Sequence, residues 1–277
     1  MPKAVQGEND AVLTADLSVQ HLFGVAGKVV LISGGGSGIG AMIASGFVQN
    51  GAVVYIASRK DTSPFAAELT AKGPGKCFAL TADVGDEAQV KTLISEIDKR
   101  EGKLDVLVNN AGTNFNAAID KHSSADFMKV MQVNVNAVFI ISRLAMPLLE
   151  KAASEENPAR IINISSVNGM QVPGHYGYGY SASKAAVNML TQHLAANVAE
   201  RLVTINAVAP GPFPSRMMRG TIDMAGEENV REMTSLKRLG MPGDMAGACL
   251  YLASRAGSFV TGTVAVVDGG LLVKPKL

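Results

Sequence analysis

Lys28-Val29-Val30-Leu31-Ile32-Ser33-Gly34-Gly35-Gly36-Ser37-Gly38-Ile39-Gly40 joins a β-rich apolar run to a glycine turn, and Ala41 to Asn50 then carries helical character until Gly51. Strand, glycine turn and helix in that order let backbone N–H groups and a helix N-terminus meet a pyrophosphate, because glycines lack the Cβ atoms that block approach. Two registers fit. Gly34, Gly38 and Gly40 give G-x-x-x-G-x-G, whereas Gly36, Gly38 and Ala41 satisfy G-x-G-x-x-A. Pattern alone does not choose between them, so Ser33, Gly34, Gly36, Ser37, Gly38, Ile39 and Gly40 all stand as candidate phosphate-cradle residues.

Downstream, Ala52 to Ala57 reads as a strand that ends at Ser58-Arg59. An acidic residue there would suit the ribose 2′-hydroxyl of NAD; a small residue followed by arginine leaves room and charge for a 2′-phosphate. Arg59 therefore favours NADP(H) over NAD(H), with Asp61 nearby as a counterweight. Pro64 to Ala71 is a short helix with Ser63 as its expected N-cap. Cys77 to Thr81 is a strand, and Asp83-Val84 follows at its C-terminal end, where open α/β sheets put ligand contacts. Asp86 to Lys99 is an amphipathic helix. Leu104 to Val108 is the next strand, ending in Asn109-Asn110-Ala111-Gly112, whose amides could satisfy backbone groups of adjacent strands or simply suit a turn.

A helical stretch from Ser124 to Lys151 carries Asn134 and Asn136 among apolar neighbours. A buried asparagine must find partners, so either could serve a site or cross-link the core. Arg160 to Ile164 is a strand ending in Ser165-Ser166, and a helix runs from Tyr180 to about Ala199. Within it, Tyr180-Ser181-Ala182-Ser183-Lys184 sets a phenol and an ammonium four residues apart on one helix face, close enough for the cation to stabilise a phenolate. Tyr176 and Tyr178 have no cation at that offset. Val203 to Val208 is a further strand, followed by Ala209-Pro210-Gly211-Pro212-Phe213-Pro214-Ser215-Arg216-Met217-Met218 and a methionine-rich segment to about Leu239 that could form a lid or binding wall. Gly243 to Ser254 is a helix, and Val264 to Val267 closes the sheet.

The 277 residues hold 47% hydrophobic and 18% charged side chains with a net charge of +1, a balance that points to neither nucleic acid nor a membrane surface. No apolar run of membrane-spanning length is apparent, and Cys77 and Cys249 form no metal or redox spacing. No metal is expected. Residues 1–24 read as an N-terminal extension, and 25–277 as one dinucleotide-binding and catalytic domain that includes a substrate loop at about 211–240. Alternating strands and helices with right-handed crossovers predict an α/β fold: a doubly wound (Rossmann) parallel sheet of about seven strands with helices on both faces.

Jointly, Gly34/Gly38/Gly40, Asn109-Asn110-Ala111-Gly112, Asn134, Ser166, Tyr180 with Lys184, and Pro210-Gly211 follow the order and spacing of the short-chain dehydrogenase/reductase family, which the chain resembles over residues 25 to 270. The resemblance implies a catalytic tetrad of Asn134, Ser166, Tyr180 and Lys184, an adenine contact at Asp83-Val84, and cofactor contacts at Ser58, Arg59, Asn110, Ala111, Gly112, Tyr180, Lys184, Pro210, Gly211, Phe213 and Ser215. Asn134 is preferred to Asn136 for its Val-Asn-x-x-x-x-Phe setting with Phe139, and Ser166 to Ser165 as the second of the pair. Ser33 and Ser215 replace the usual threonines, and Ser37 stands where many NADP-using members carry a basic residue. Ala153 to Arg160 and Pro210 to Met217 also resemble the β-ketoacyl reductases associated with rhamnolipid synthesis.

The resemblance further implies NADPH-dependent reduction of a ketone, reversible to the secondary alcohol. Tyr180 would be the general acid, Ser166 would hold the oxygen, Lys184 would lower the phenol pKa and bond the nicotinamide ribose, and Asn134 would position a water. Phe213, Met217, Met218, Met224 and Met233 could line a pocket for an apolar or acyl-type substrate, or pack the lid against its own core. A cytoplasmic homotetramer or homodimer acting on a small carbonyl compound is expected, with a non-catalytic NADP-binding sensor or scaffold as the alternative.

Overall fold

Every residue of Val29–Ser33 is buried, so neither face of this strand meets water, as in a parallel sheet covered on both sides. The computed structural model describes residues 13–275. Among these, strands β1 (Val29–Ser33), β2 (Val53–Ser58), β3 (Lys76–Thr81), β4 (Val106–Asn109), β5 (Ala159–Ile164), β6 (Val203–Pro210) and β7 (Val264–Val267) form one sheet of order β3-β2-β1-β4-β5-β6-β7. All pairings are parallel. The helices are α1 (Val19–Phe23), α2 (Gly38–Gln49), α3 (Ser63–Lys72), α4 (Glu87–Glu101), α5 (Ser124–Met131), α6 (Ala137–Ala152), α7 (Tyr178–Val198), α8 (Arg216–Ala225), α9 (Glu227–Glu232) and α10 (Pro242–Ala253).

The pleat of β1 sorts its side chains between two cores. Val29 and Leu31 meet Val90 and Ile97 of α4 and Ile141 and Leu149 of α6, while Val30 and Ile32 meet Ile43 and Phe47 of α2, Leu69 of α3 and Met245 of α10. Cys77 and Cys249 are buried free thiols, each pushed up to about 12 by burial. After β3 the chain crosses to β4 on the far side of β1. The order of winding reverses there and opens a crevice at the C-terminal ends of these neighbours, where Ser33 pairs with Asn109.

Several boundaries differ from the sequence expectation. Helix α2 begins at Gly38 rather than Ala41, so the last residues of the glycine turn are already helical. Ser63 is the first residue of α3 rather than its cap; Asp61 Oδ1 accepts from the Ser63 N–H at 2.9 Å and from its hydroxyl at 2.6 Å. Strand β6 continues through Pro210, which pairs with Val267 beside the Gly211 N–H that donates to Val267 O at 2.9 Å. The expected continuous helix is broken by a π-turn at Gln132–Asn136 between α5 and α6. By length and composition the 124–152 stretch is apolar enough to cross a membrane, although Asp126, Lys129 and Arg143 interrupt it and just over half of its most apolar window is buried inside the molecule. Of the proposed N-terminal extension, residues 1–12 lie outside the described residues, as do 276 and 277 of the C-terminal tail.

A chain of buried side chains ties the sheet to the helix that carries Tyr180. Asn109 Nδ2 donates to Asn163 Oδ1 at 2.9 Å and to Ser142 Oγ at 3.1 Å, and Asn163 Nδ2 donates to Thr191 Oγ1 on α7 at 2.9 Å. Replacing Asn163 with alanine removes two buried hydrogen bonds and leaves space behind. The Asn163→Ala protein is expected to lose about 2–4 kcal/mol of stability in urea unfolding, and an unchanged midpoint would show that this network does not anchor α7.

Candidate active site

At the C-terminal end of β1, Gly34 (φ +68°) and Gly38 (φ +55°) sit in the left-handed region that glycine tolerates. Gly40 is required for space, since a Cβ there would fall 2.3 Å from Gly34 O and 2.5 Å from Asn110 Nδ2. These demands support the Gly34/Gly38/Gly40 register, and Gly36 is constrained separately, because a Cβ there would come within 2.4 Å of Thr62 Cγ2. Ser37 precedes α2 without capping it through its side chain. Backbone donors in the first turn are thereby left for an anion, and the cradle fits a dinucleotide phosphate. The side chain of Ile39 packs against the core, so that residue could offer only its backbone.

Ser33 and Asn110 lock this turn to the end of β4. The Ser33 hydroxyl accepts from the N–H groups of Asn110 (3.0 Å) and Ala111 (3.1 Å), and Asn110 Nδ2 donates to Ser33 O (3.0 Å) and Gly34 O (3.1 Å). Both readings of these amides therefore meet in one residue, a turn and a bond between strands. At the end of β2, the Ser58 hydroxyl donates to Lys60 O at 2.7 Å. Arg59 is exposed and pairs with no carboxylate among the described residues. Asp61 is engaged by Ser63 and does not neutralise it. At the end of β3, Asp83 Oδ1 accepts from the Gly85 N–H at 2.9 Å and Val84 is buried.

On the other side of the crevice, Asn134 from the π-turn, Ser166 from the end of β5, and Tyr180 with Lys184 from α7 converge from three segments. The Lys184 Nζ donates to Ile164 O at the end of β5 at 2.7 Å and lies 5.6 Å from the centre of the Tyr180 ring. A Cβ built on Gly112 would lie 3.8 Å from that nitrogen and 3.4 Å from Asn134 Oδ1, which brings the end of β4 alongside both. Ser166 is buried, its hydroxyl accepts from the Asn168 N–H at 3.2 Å, and it lies close enough to the Tyr180 phenol to favour the phenolate. Ser165 instead donates to Lys184 O at 3.2 Å and fastens α7. Asn134 lies in the π-turn, a feature frequent at functional sites. Its Oδ1 accepts from Thr113 N at 2.8 Å, and its Nδ2 donates to Thr113 O and Ser183 Oγ, both at 2.9 Å. With its amide so engaged, the side chain braces the wall.

Burial dominates the electrostatics. It lowers the Lys184 amine from 10.5 to about 8 and raises the Tyr180 phenol above its ordinary value, with the Ser166 hydrogen bond acting in the opposite direction. The net displacement of the phenol is therefore upward: desolvation penalises the phenolate more than Ser166 favours it. A neutral phenol beside a serine hydroxyl is a proton donor aimed at an oxygen that gains charge.

The C-terminal candidates divide. A Cβ on Gly211 would lie 2.7 Å from Asp268 Cα, which packs it against the turn after β7. Ser215 accepts from the Met218 N–H at 3.1 Å, and its Cβ would lie 3.3 Å from one built on Gly38, so it reaches the glycine turn. Phe213 lies deeper than Pro214 and Ser215. Its side chain is buried against Gly240, so toward a ligand at the sheet edge it could offer its backbone. Met217, Met224 and Met233 are exposed rather than packed inward. Sequence reasoning missed Arg216, whose Nη2 donates to Ser37 Oγ at 3.2 Å across 179 positions; no local pattern links the two.

Residues 34–272 match a family model described as enoyl-(acyl carrier protein) reductase. The chain is 39% identical over 252 residues to the rhamnolipids biosynthesis 3-oxoacyl-[acyl-carrier-protein] reductase of Pseudomonas aeruginosa, covering 90% of this chain and 97% of that one. The P. aeruginosa RhlG/NADP active-site complex superposes with a TM-score of 0.86 at 40% identity, covering 90% and 98% of the two chains. A gluconate 5-dehydrogenase from Burkholderia cenocepacia J2315, in complex with NADP and tartrate, gives 0.85 at 31% identity, covering 93% and 100%.

Between about 8 and 10.5 the folded chain holds fewer protons at Lys184 than the unfolded chain, so this group makes stability rise with pH across that window and carries a constant cost below it. Burial also lowers Lys28 to about 8, so carbon-13 NMR of the lysine ε-carbons is expected to show two resonances titrating near pH 8, of which Lys184→Met removes one and leaves the other. The same variant should flatten the rise in stability by about 1.4 kcal/mol per pH unit; a Lys184 midpoint near 10.5 would contradict the assignment.

Proposed function

Because the chain belongs to the short-chain dehydrogenase/reductase family, we propose that it is an NADPH-dependent oxidoreductase that reduces a ketone and, in reverse, oxidises the secondary alcohol. The observation that carries the reading is the meeting of a neutral phenol, a serine hydroxyl and a buried ammonium beside Gly112 at the crevice. NADPH, when bound, supplies the hydride that the carbonyl carbon accepts. Tyr180 gives its proton to the carbonyl oxygen as charge develops there, and Ser166 steadies that oxygen by hydrogen bonding. Lys184, fixed by Ile164 O, keeps a positive charge near the phenol ring that favours proton departure. Asn134 holds the Thr113 segment and α7 in register around them.

The glycine turn would cradle the pyrophosphate, and Arg59, free of Asp61, would meet a 2′-phosphate. The NADP complexes of the two structural relatives support the same preference. For the substrate we favour an apolar or acyl-type ketone such as a 3-oxoacyl thioester, which the exposed, adaptable Met217, Met224 and Met233 and the name of the P. aeruginosa relative support. Self-association and a cytoplasmic setting complete the reading; the partly exposed outer strand β7 and the unpaired thiols support them.

NADPH consumption is to be followed by absorbance with ketones, 3-oxoacyl thioesters, enoyl thioesters and quinones, with NADH in parallel. Turnover of a 3-oxoacyl thioester is expected, faster with NADPH. Tyr180→Phe should lower kcat by at least about 100-fold while NADPH still binds. Equal rates with both dinucleotides would remove the role of Arg59, and full turnover by Tyr180→Phe would remove the proton donor.

A further inference from the structure

We propose that Arg216 is a phosphate-binding cation through which the lid helix α8 closes on the glycine turn; this rests on the dinucleotide reading above. Arg216 opens α8, and its guanidinium reaches Ser37 at the threshold of α2, where Nη2 donates to Oγ at 3.2 Å. The preceding residue, Ser215, approaches so closely that a Cβ on Gly38 would lie 3.3 Å from its own. The start of the lid therefore rests on the turn whose backbone donors form the anion cradle.

Among the described residues this positive charge has no ion-pair partner. Arg216 is exposed, and neither α2 nor α8 has an acidic residue in its first turn. A guanidinium carries five N–H donors in a fixed fork, and one neutral hydroxyl engages only part of that capacity. Phosphate oxygens are the acceptors that such a fork fits best. No residue of α8 is fully buried, Met218, Thr221, Ile222 and Ala225 being half-buried, so the helix is held lightly away from its start. A phosphate held jointly by the glycine turn and Arg216 would fasten the lid over the crevice, linking dinucleotide binding to the wall that carries Met217 and Met224.

Two phosphates of one ligand could be the partner, the pyrophosphate or a 2′-phosphate, and two titrations separate them. Isothermal titration calorimetry with NADPH and with NADH is to be run on the unmodified chain, Arg216→Met and Arg216→Lys, with a thermal melt of each ligand-free protein to verify folding. Arg216→Met is expected to weaken NADPH binding about 10- to 100-fold, the loss of one or two charge-assisted hydrogen bonds. Arg216→Lys should recover part of it. A loss confined to NADPH identifies the 2′-phosphate, and an equal loss with NADH identifies the pyrophosphate; either supports the proposal. Unchanged affinity for both ligands in a folded Arg216→Met protein overturns it and leaves the dinucleotide reading standing. Failure of the unmodified chain to bind either ligand would refute that reading, and the proposal with it.

Discussion

The joint between Ser33 and Asn110 governs the rest of the molecule. Two adjacent parallel strands, β1 and β4, must end at the same level although their following segments leave in different directions. Four hydrogen bonds hold them there, two accepted by the Ser33 hydroxyl and two donated by the Asn110 amide. Gly40 must lack a side chain so that the amide can reach the turn. With the joint intact, the glycine turn faces one side of the crevice and Gly112 brings the other side against Lys184 and Asn134.

Across the crevice the controlling quantity is solvation. Proximity of phenol and ammonium suggests mutual stabilisation as an ion pair, but both groups are removed from water and each is shifted toward its neutral form. A protonated phenol is the form a carbonyl reductase needs before transfer, and a lysine poised near neutrality is sensitive to any charge brought beside it. Ile164 O supplies the fixed acceptor that keeps the amine in place whichever form it takes.

The succession of strands along the chain and the helices between them up to Val208 were legible because each strand is a short apolar run ending in small or amide residues, as at Ser33, Asn109 and Ser165-Ser166. The glycine register was not, since two patterns overlapped until backbone angles and the crowding at Gly40 distinguished them. The break at Gln132–Asn136 was hidden because a π-turn keeps helical composition while shifting hydrogen-bond partners. The orientation of Phe213 was hidden for a similar reason: its position next to Pro210-Gly211 was visible, but the packing of its ring on Gly240 depends on a residue far along the chain. Arg216 escaped notice because its partner is distant and its own surroundings resemble any exposed helix start.

The two cysteines carry a consequence of their own. Cys77 lies on β3, paired with β2, and Cys249 lies in α10 against the same core layer, each with its thiol far above neutrality. Nucleophilic attack requires the thiolate, so alkylating reagents and peroxide find almost nothing to react with while that layer stays closed. The rate of covalent labelling then reports how often the core opens, which makes this chain its own clock for transient unfolding.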